Sequence, residues 1–169
     1  GSLIVGHQTT GTLDAAQYNV AVGTTALDAL TTGDNNVAVG YDALTANTTG
    51  ASNVAIGYEA MRDNVSNQGN VAIGMSALQE SNGGEYNTAI GNNALRGTSN
   101  TNITGDENVA IGAGTMKFNI GGAQNSAVGR RQFYHCPCYT GPRVPAYREK
   151  ESHEQGERPH DAGGIFRAV

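Results

Sequence analysis

Eight glycines recur along the chain at a nearly fixed interval: Gly6, Gly23, Gly40, Gly57, Gly74, Gly91, Gly112 and Gly129, each 17 residues after the last except for one step of 21. A period held this tightly is the signature of a solenoid, in which each repeat is one coil that buries its apolar face by stacking on its neighbours. The longer step contains GTSNTNITGDEN, residues 97–108, and predicts an enlarged loop on one side of one coil.

Columns counted from these glycines show what a coil is made of. One residue before the glycine stand Val5, Val22, Val39, Ile56, Ile73, Ile90, Ile111 and Val128, all β-branched and suited to a strand. Three before it stand Leu3, Val20, Val37, Val54, Val71, Thr88, Val109 and Ser126. Residues two apart share a strand face, and these two columns predict the face that points into the coil. Between them lie Ala21, Ala38, Ala55, Ala72, Ala89, Ala110 and Ala127, which then point outward. An outward strip of bare methyl groups calls for a cover, so these seven alanines are the expected trimer interface. Four after the glycine, Leu27, Leu44, Met61, Leu78, Leu95, Met116 and Phe133 supply a further inward knob.

Two polar columns complete the pattern. Asn19, Asn36, Asn53, Asn70, Asn87, Asn108 and Asn125 lie four before the glycine without a break. Coils stacked about 4.8 Å apart would let each amide bond to the next, an asparagine ladder. Seven before the glycine, Gly33, Gly50, Asn67, Gly84, Gly105 and Gly122 predict a turn with positive φ. The fold class that follows is all-β: a parallel β-solenoid, either β-roll or β-helix, of 17-residue coils, assembled as a homotrimer.

The eight coils occupy residues 1–129, and a segment of different character, 130–169, follows. All four prolines, both cysteines and seven of the ten basic residues lie in that segment. It reads either as a cap on the open edge of the last coil or as a disordered or non-native tail. His135, Cys136 and Cys138, with His153 or His160, have the right chemistry for zinc, but a single residue between the cysteines is too short a spacing for a zinc knuckle. No metal and no cofactor are expected.

Charge and composition exclude several functions. Residues 1–129 carry three basic side chains, Arg62, Arg96 and Lys117, against ten acids, which leaves no surface for neutralising phosphates, so no nucleic-acid partner is expected. No apolar run approaches the roughly 20 residues that cross a bilayer, so no membrane insertion is expected. No carboxylate recurs in a column, and with no Trp there is little aromatic surface for stacking sugars, so no catalytic residues are assigned and the chain is read as non-enzymatic. The acidic turns TGDNN and TGDEN lack the nonapeptide pattern of calcium β-rolls.

The phrase running through Asn53–Met61, Asn70–Leu78 and Asn87–Leu95 resembles the head repeats of YadA-like trimeric autotransporter adhesins. It is more similar still to the related repeats of phage tail fibres, in which such phrases are joined by segments like the NTTG of Asn47–Gly50. The adhesin heads mostly repeat at a shorter period, which favours the fibre branch. The resemblance, covering about residues 3–129, implies a homotrimeric, stiff, protease-resistant rod on a virion or cell surface. The function expected from it is a structural and host-recognition segment of a trimeric phage tail fibre, extracellular on the virion. The alternative is the head repeat region of a bacterial trimeric adhesin on the cell surface. Its partners would be copies of itself and a host-cell receptor or glycan. Tyr41, Tyr58, Asn100, Asn102 and Asp106, in outward loops, are the candidate receptor contacts.

Overall fold

Each coil contributes one three-residue strand: β1 (Leu3–Val5), β2 (Val20–Val22), β3 (Val37–Val39), β4 (Val54–Ile56), β5 (Val71–Ile73), β6 (Thr88–Ile90), β7 (Val109–Ile111) and β8 (Ser126–Val128). The computed structural model describes residues 1–6, 15–97, 104–119 and 121–130, all within the compact unit Gly1–Tyr139. The segment expected at 130–169 lies outside the described residues except for Arg130. The eight strands form one parallel sheet in chain order, and the protein is a β-solenoid.

The register follows the columns. Val20 pairs with Val37, Ala38 with Ala55 and Ile56 with Ile73, so like stacks on like. Across the longer repeat Thr88 pairs with Val109 and Ala89 with Ala110. The four extra residues therefore leave the strand register undisturbed.

The two faces of the strand are reversed relative to the sequence expectation. Ala21, Ala38, Ala55, Ala72, Ala89 and Ala110 are 0% exposed in the single chain and Ala127 is nearly so; they fill the inside of the coil. They cannot meet a sister chain, and the trimer interface assigned to them is corrected. Ile56, by contrast, is 38% exposed and Val128 67%, on the outside. The reason is room. The interior must also hold the asparagine column, whose side chains lie two residues from the alanines and hence on the same strand face. A second inward alanine column, Ala26, Ala43, Ala60, Ala77 and Ala94, and the Leu/Met knobs from Leu27 to Met116 fill the opposite wall. Small side chains let those walls approach; a Val or Ile layer would overfill the space.

The bend after each strand depends on an unusual backbone. The glycine column supplies φ near +136° at Gly23, Gly40 and Gly57, a region costly for any other residue. The core knobs are left-handed too: φ is 53° at Leu44, 51° at Met61 and 50° at Leu78. Bulky residues seldom adopt such angles. Here burial of the side chain and a hydrogen bond from each knob to the coil beneath offset the strain, as in Leu44 N–H to Ala60 O at 3.0 Å and Met61 N–H to Ala77 O at 3.0 Å.

The other glycine column also differs from expectation. Gly33, Gly50, Gly84, Gly105 and Gly122 do not have positive φ. Their constraint is contact: a Cβ on Gly33 would lie 2.2 Å from the Gly50 carbonyl oxygen, and one on Gly105 2.1 Å from that of Gly122. At Gly33, Gly50, Gly84 and Gly105 the backbone of the next coil leaves no room for a side chain, and at Gly122 the Asn119 and Asn125 side chains leave none.

Candidate interaction surface

The inner face sets the geometry of the outer one. Asn36, Asn53, Asn70, Asn87, Asn108 and Asn125 each direct the backbone N–H to the side-chain oxygen of the asparagine one coil earlier, at 2.8 to 3.0 Å. The amide nitrogen of Asn36 donates to Gly50 O at 2.8 Å, and that of Asn53 to Asn67 O at 2.8 Å. Asn36, Asn53, Asn70 and Asn87 thus tie the strand both to its neighbour and to a turn. Buried polar groups satisfied in this way hold the register as well as the fold.

With the coils locked in register, the outward columns stay aligned from strand to strand. Leu3, Val5, Val22, Ile56, Ile73, Ile111 and Val128 are exposed, and Val20, Val37, Val39, Val54, Val71 and Val109 are half-buried. They form an uncharged, aliphatic face along the solenoid, β-branched at every position but Leu3. In the middle coils the face widens by one column, because Tyr41, Tyr58 and Met75 follow the glycines and are also exposed. The Tyr41 and Tyr58 rings stack with centroids 5.4 Å apart and planes 12° from parallel. A Glu59 carboxylate hydrogen-bonds and repels charge on the Tyr58 phenol, which pushes its pKa above the ordinary value.

Next to this aromatic pair lies a polar network that spans three coils. Arg62 grips Asp63 through two hydrogen bonds of 2.8 Å and reaches Glu59 at 3.4 Å. The Asp63 contact keeps the guanidinium charged. Gln79 donates to Glu59, and its own oxygen accepts from Arg96 Nε at 2.8 Å. Buried beside them, the Glu80 carboxyl is raised by desolvation, countered in part by Arg96.

Of the candidate receptor contacts, Tyr41 and Tyr58 come together as one stacked pair. Asp106 lies elsewhere on the coil, six residues before its glycine, and its side chain accepts the Glu85 N–H at 2.8 Å, a bond between coils. Asn100 and Asn102 lie outside the described residues, as do His135, Cys136, Cys138, His153 and His160. The sequence reading missed the Glu59–Gln79–Arg96 network, whose members belong to different columns and come together only in the folded coil. It also missed a second asparagine column seven after the glycine, Asn47, Asn64 and Asn119, although the spacing is visible in the text. Comparison of the chain with family models, curated proteins and solved structures finds no match.

Proposed function

We propose that this chain is a rigid structural segment of a homotrimeric phage tail fibre, with host recognition carried by its outward side chains. The observation that supports the reading most is the uncharged Val/Ile face, repeated once per coil and left uncovered by the single chain. An apolar strip of this regularity marks an interface. The occupant best matched to it is another copy of the same chain, because only a partner with the same rise per coil keeps its own β-branched residues in step over all eight strands. Three copies around an axis would enclose three such faces and leave the polar turns outside. The stacked tyrosines, at the margin of the face, are then placed to touch a receptor or glycan.

The test is the mass of the assembly. Light scattering on the chain should give three times the monomer mass, and Ile56→Lys with Ile73→Lys should reduce it to monomer while the far-ultraviolet circular dichroism of the coils persists. A monomeric unmodified chain, or a trimer indifferent to both lysines, overturns the interface. Substituting Tyr41 and Tyr58 by Ala should leave the mass unchanged and weaken attachment to host cells.

A further inference from the structure

Three of the turns opposite the sheet are clamped by the second asparagine column. Asn47 Oδ1 accepts the Gly50 N–H at 3.0 Å and its Nδ2 donates to Gly50 O at 3.0 Å; Asn64 accepts from Asn67 N–H at 3.0 Å; Asn119 accepts from Gly122 N–H at 3.1 Å. In the coil of β5 the same position is Ser81, whose shorter side chain does not span the turn. Its Oγ is buried without a hydrogen-bond partner, the one such side-chain atom among the described residues. The turn it fails to clamp is Ser81–Asn82–Gly83–Gly84, and it holds the only Asn–Gly pair in the sequence.

We infer that Asn82 is a site of spontaneous deamidation, a time-dependent covalent modification confined to this turn. Asn82 and Gly83 are both exposed, and neither makes a hydrogen bond among the described residues. Of the equivalent turn residues in earlier coils, Thr31 N–H is pinned to Thr48 O at 2.9 Å and Thr48 N–H to Val65 O at 2.9 Å, whereas the Val65 N–H makes no such bond. Gly83 has φ +140° and no side chain to hinder approach to its nitrogen, so the backbone can swing that nitrogen toward the neighbouring amide carbon. The nitrogen gives up its proton and bonds to Asn82 Cγ; the carbon–nitrogen bond of the side-chain amide breaks, and ammonia leaves. Water then opens the resulting succinimide at either carbonyl, giving aspartate or isoaspartate. Water is the sole co-reactant and nothing is oxidised or reduced.

The ladder asparagines are shielded from the same chemistry. Asn53 is buried, its amide is engaged in hydrogen bonds, and the next residue's N–H, that of Val54, donates to Asn70 O at 2.8 Å. Its nitrogen is neither free to turn nor unhindered. Conversion at Asn82 adds a negative charge to the turn, and the isoaspartate product also routes the backbone through an extra carbon, lengthening a coil whose neighbours are fixed in register.

The experiment incubates the full chain at mildly alkaline pH and maps its peptides by mass spectrometry with fragmentation that separates aspartate from isoaspartate. The same chain unfolded in guanidinium serves as reference. Folding should leave Asn82 close to its unfolded rate while slowing every ladder asparagine by more than about tenfold, a barrier difference of about 1.4 kcal/mol. Ser81→Asn should slow conversion at Asn82 by a similar factor, and Asn82→Gln should abolish the signal at this position. If folding protects Asn82 as strongly as Asn53, the inference is wrong. A Ser81→Asn chain that is folded and converts at the unmodified rate would show that the missing clamp is not the cause.

Discussion

Ala72 and Ile73 are adjacent residues of one strand with opposite environments: one is enclosed by its own coil, the other half uncovered at the surface. The inner face is small, polar and closed, alanine and asparagine against leucine and methionine. The outer face is larger, apolar and open. In a packed globule the bigger apolar side chains go inside because they gain most from leaving water. In a coil this narrow, shape decides first, and the surplus apolar surface is turned outward.

Substitutions on the two sides should separate these roles. The largest effect is expected on the inner face at Asn53→Ala, which leaves the Asn70 N–H and the Asn67 carbonyl without partners. At about 1–3 kcal/mol for each orphaned group, the loss should be about 4 kcal/mol, read from chemical denaturation. Next comes Ala72→Leu, which overfills the coil and should cost about 3 kcal/mol in the same measurement. Its neighbour Ile73→Thr should change the stability of the dissociated chain by only about 0.5 kcal/mol, because the site is already half in water. If Ala72→Leu were tolerated as well as Ile73→Thr, the assignment of the faces would fail.

A smaller effect should follow pH. Burial raises the Glu80 carboxyl, so the folded state holds that proton more tightly than the unfolded chain does. Its contribution to stability is complete below the unfolded carboxyl pKa and is lost as pH rises through the folded value. Glu80→Gln should therefore stabilise the chain near neutral pH, with the advantage vanishing in acid, as thermal melts across pH would record.

The coil length, the parallel stacking and the strand positions were legible because they depend on spacing alone. The inside and outside of the strand were not, because the period of a strand is two and both phases offer an apolar column. The deciding clue was available in the asparagines. A ladder of amides satisfied by one another belongs inside, and Asn53 has the same parity as Ala55, which places Ala55 inside with it. Hydrophobicity alone points to the wrong face. Gly33 and its column misled for a related reason: glycine answers both to backbone angle and to crowding, and sequence does not separate the two. The Glu59–Gln79–Arg96 network joins residues of unlike columns and leaves no periodic trace.

The strict pairing of each residue with its counterpart one repeat later has a hereditary side. Removing or duplicating one whole 17-residue unit would leave every remaining rung with a matching neighbour, whereas losing a single residue within a strand would exchange its faces. A lineage carrying this chain can therefore change the reach of the structure in whole steps while keeping the strand register.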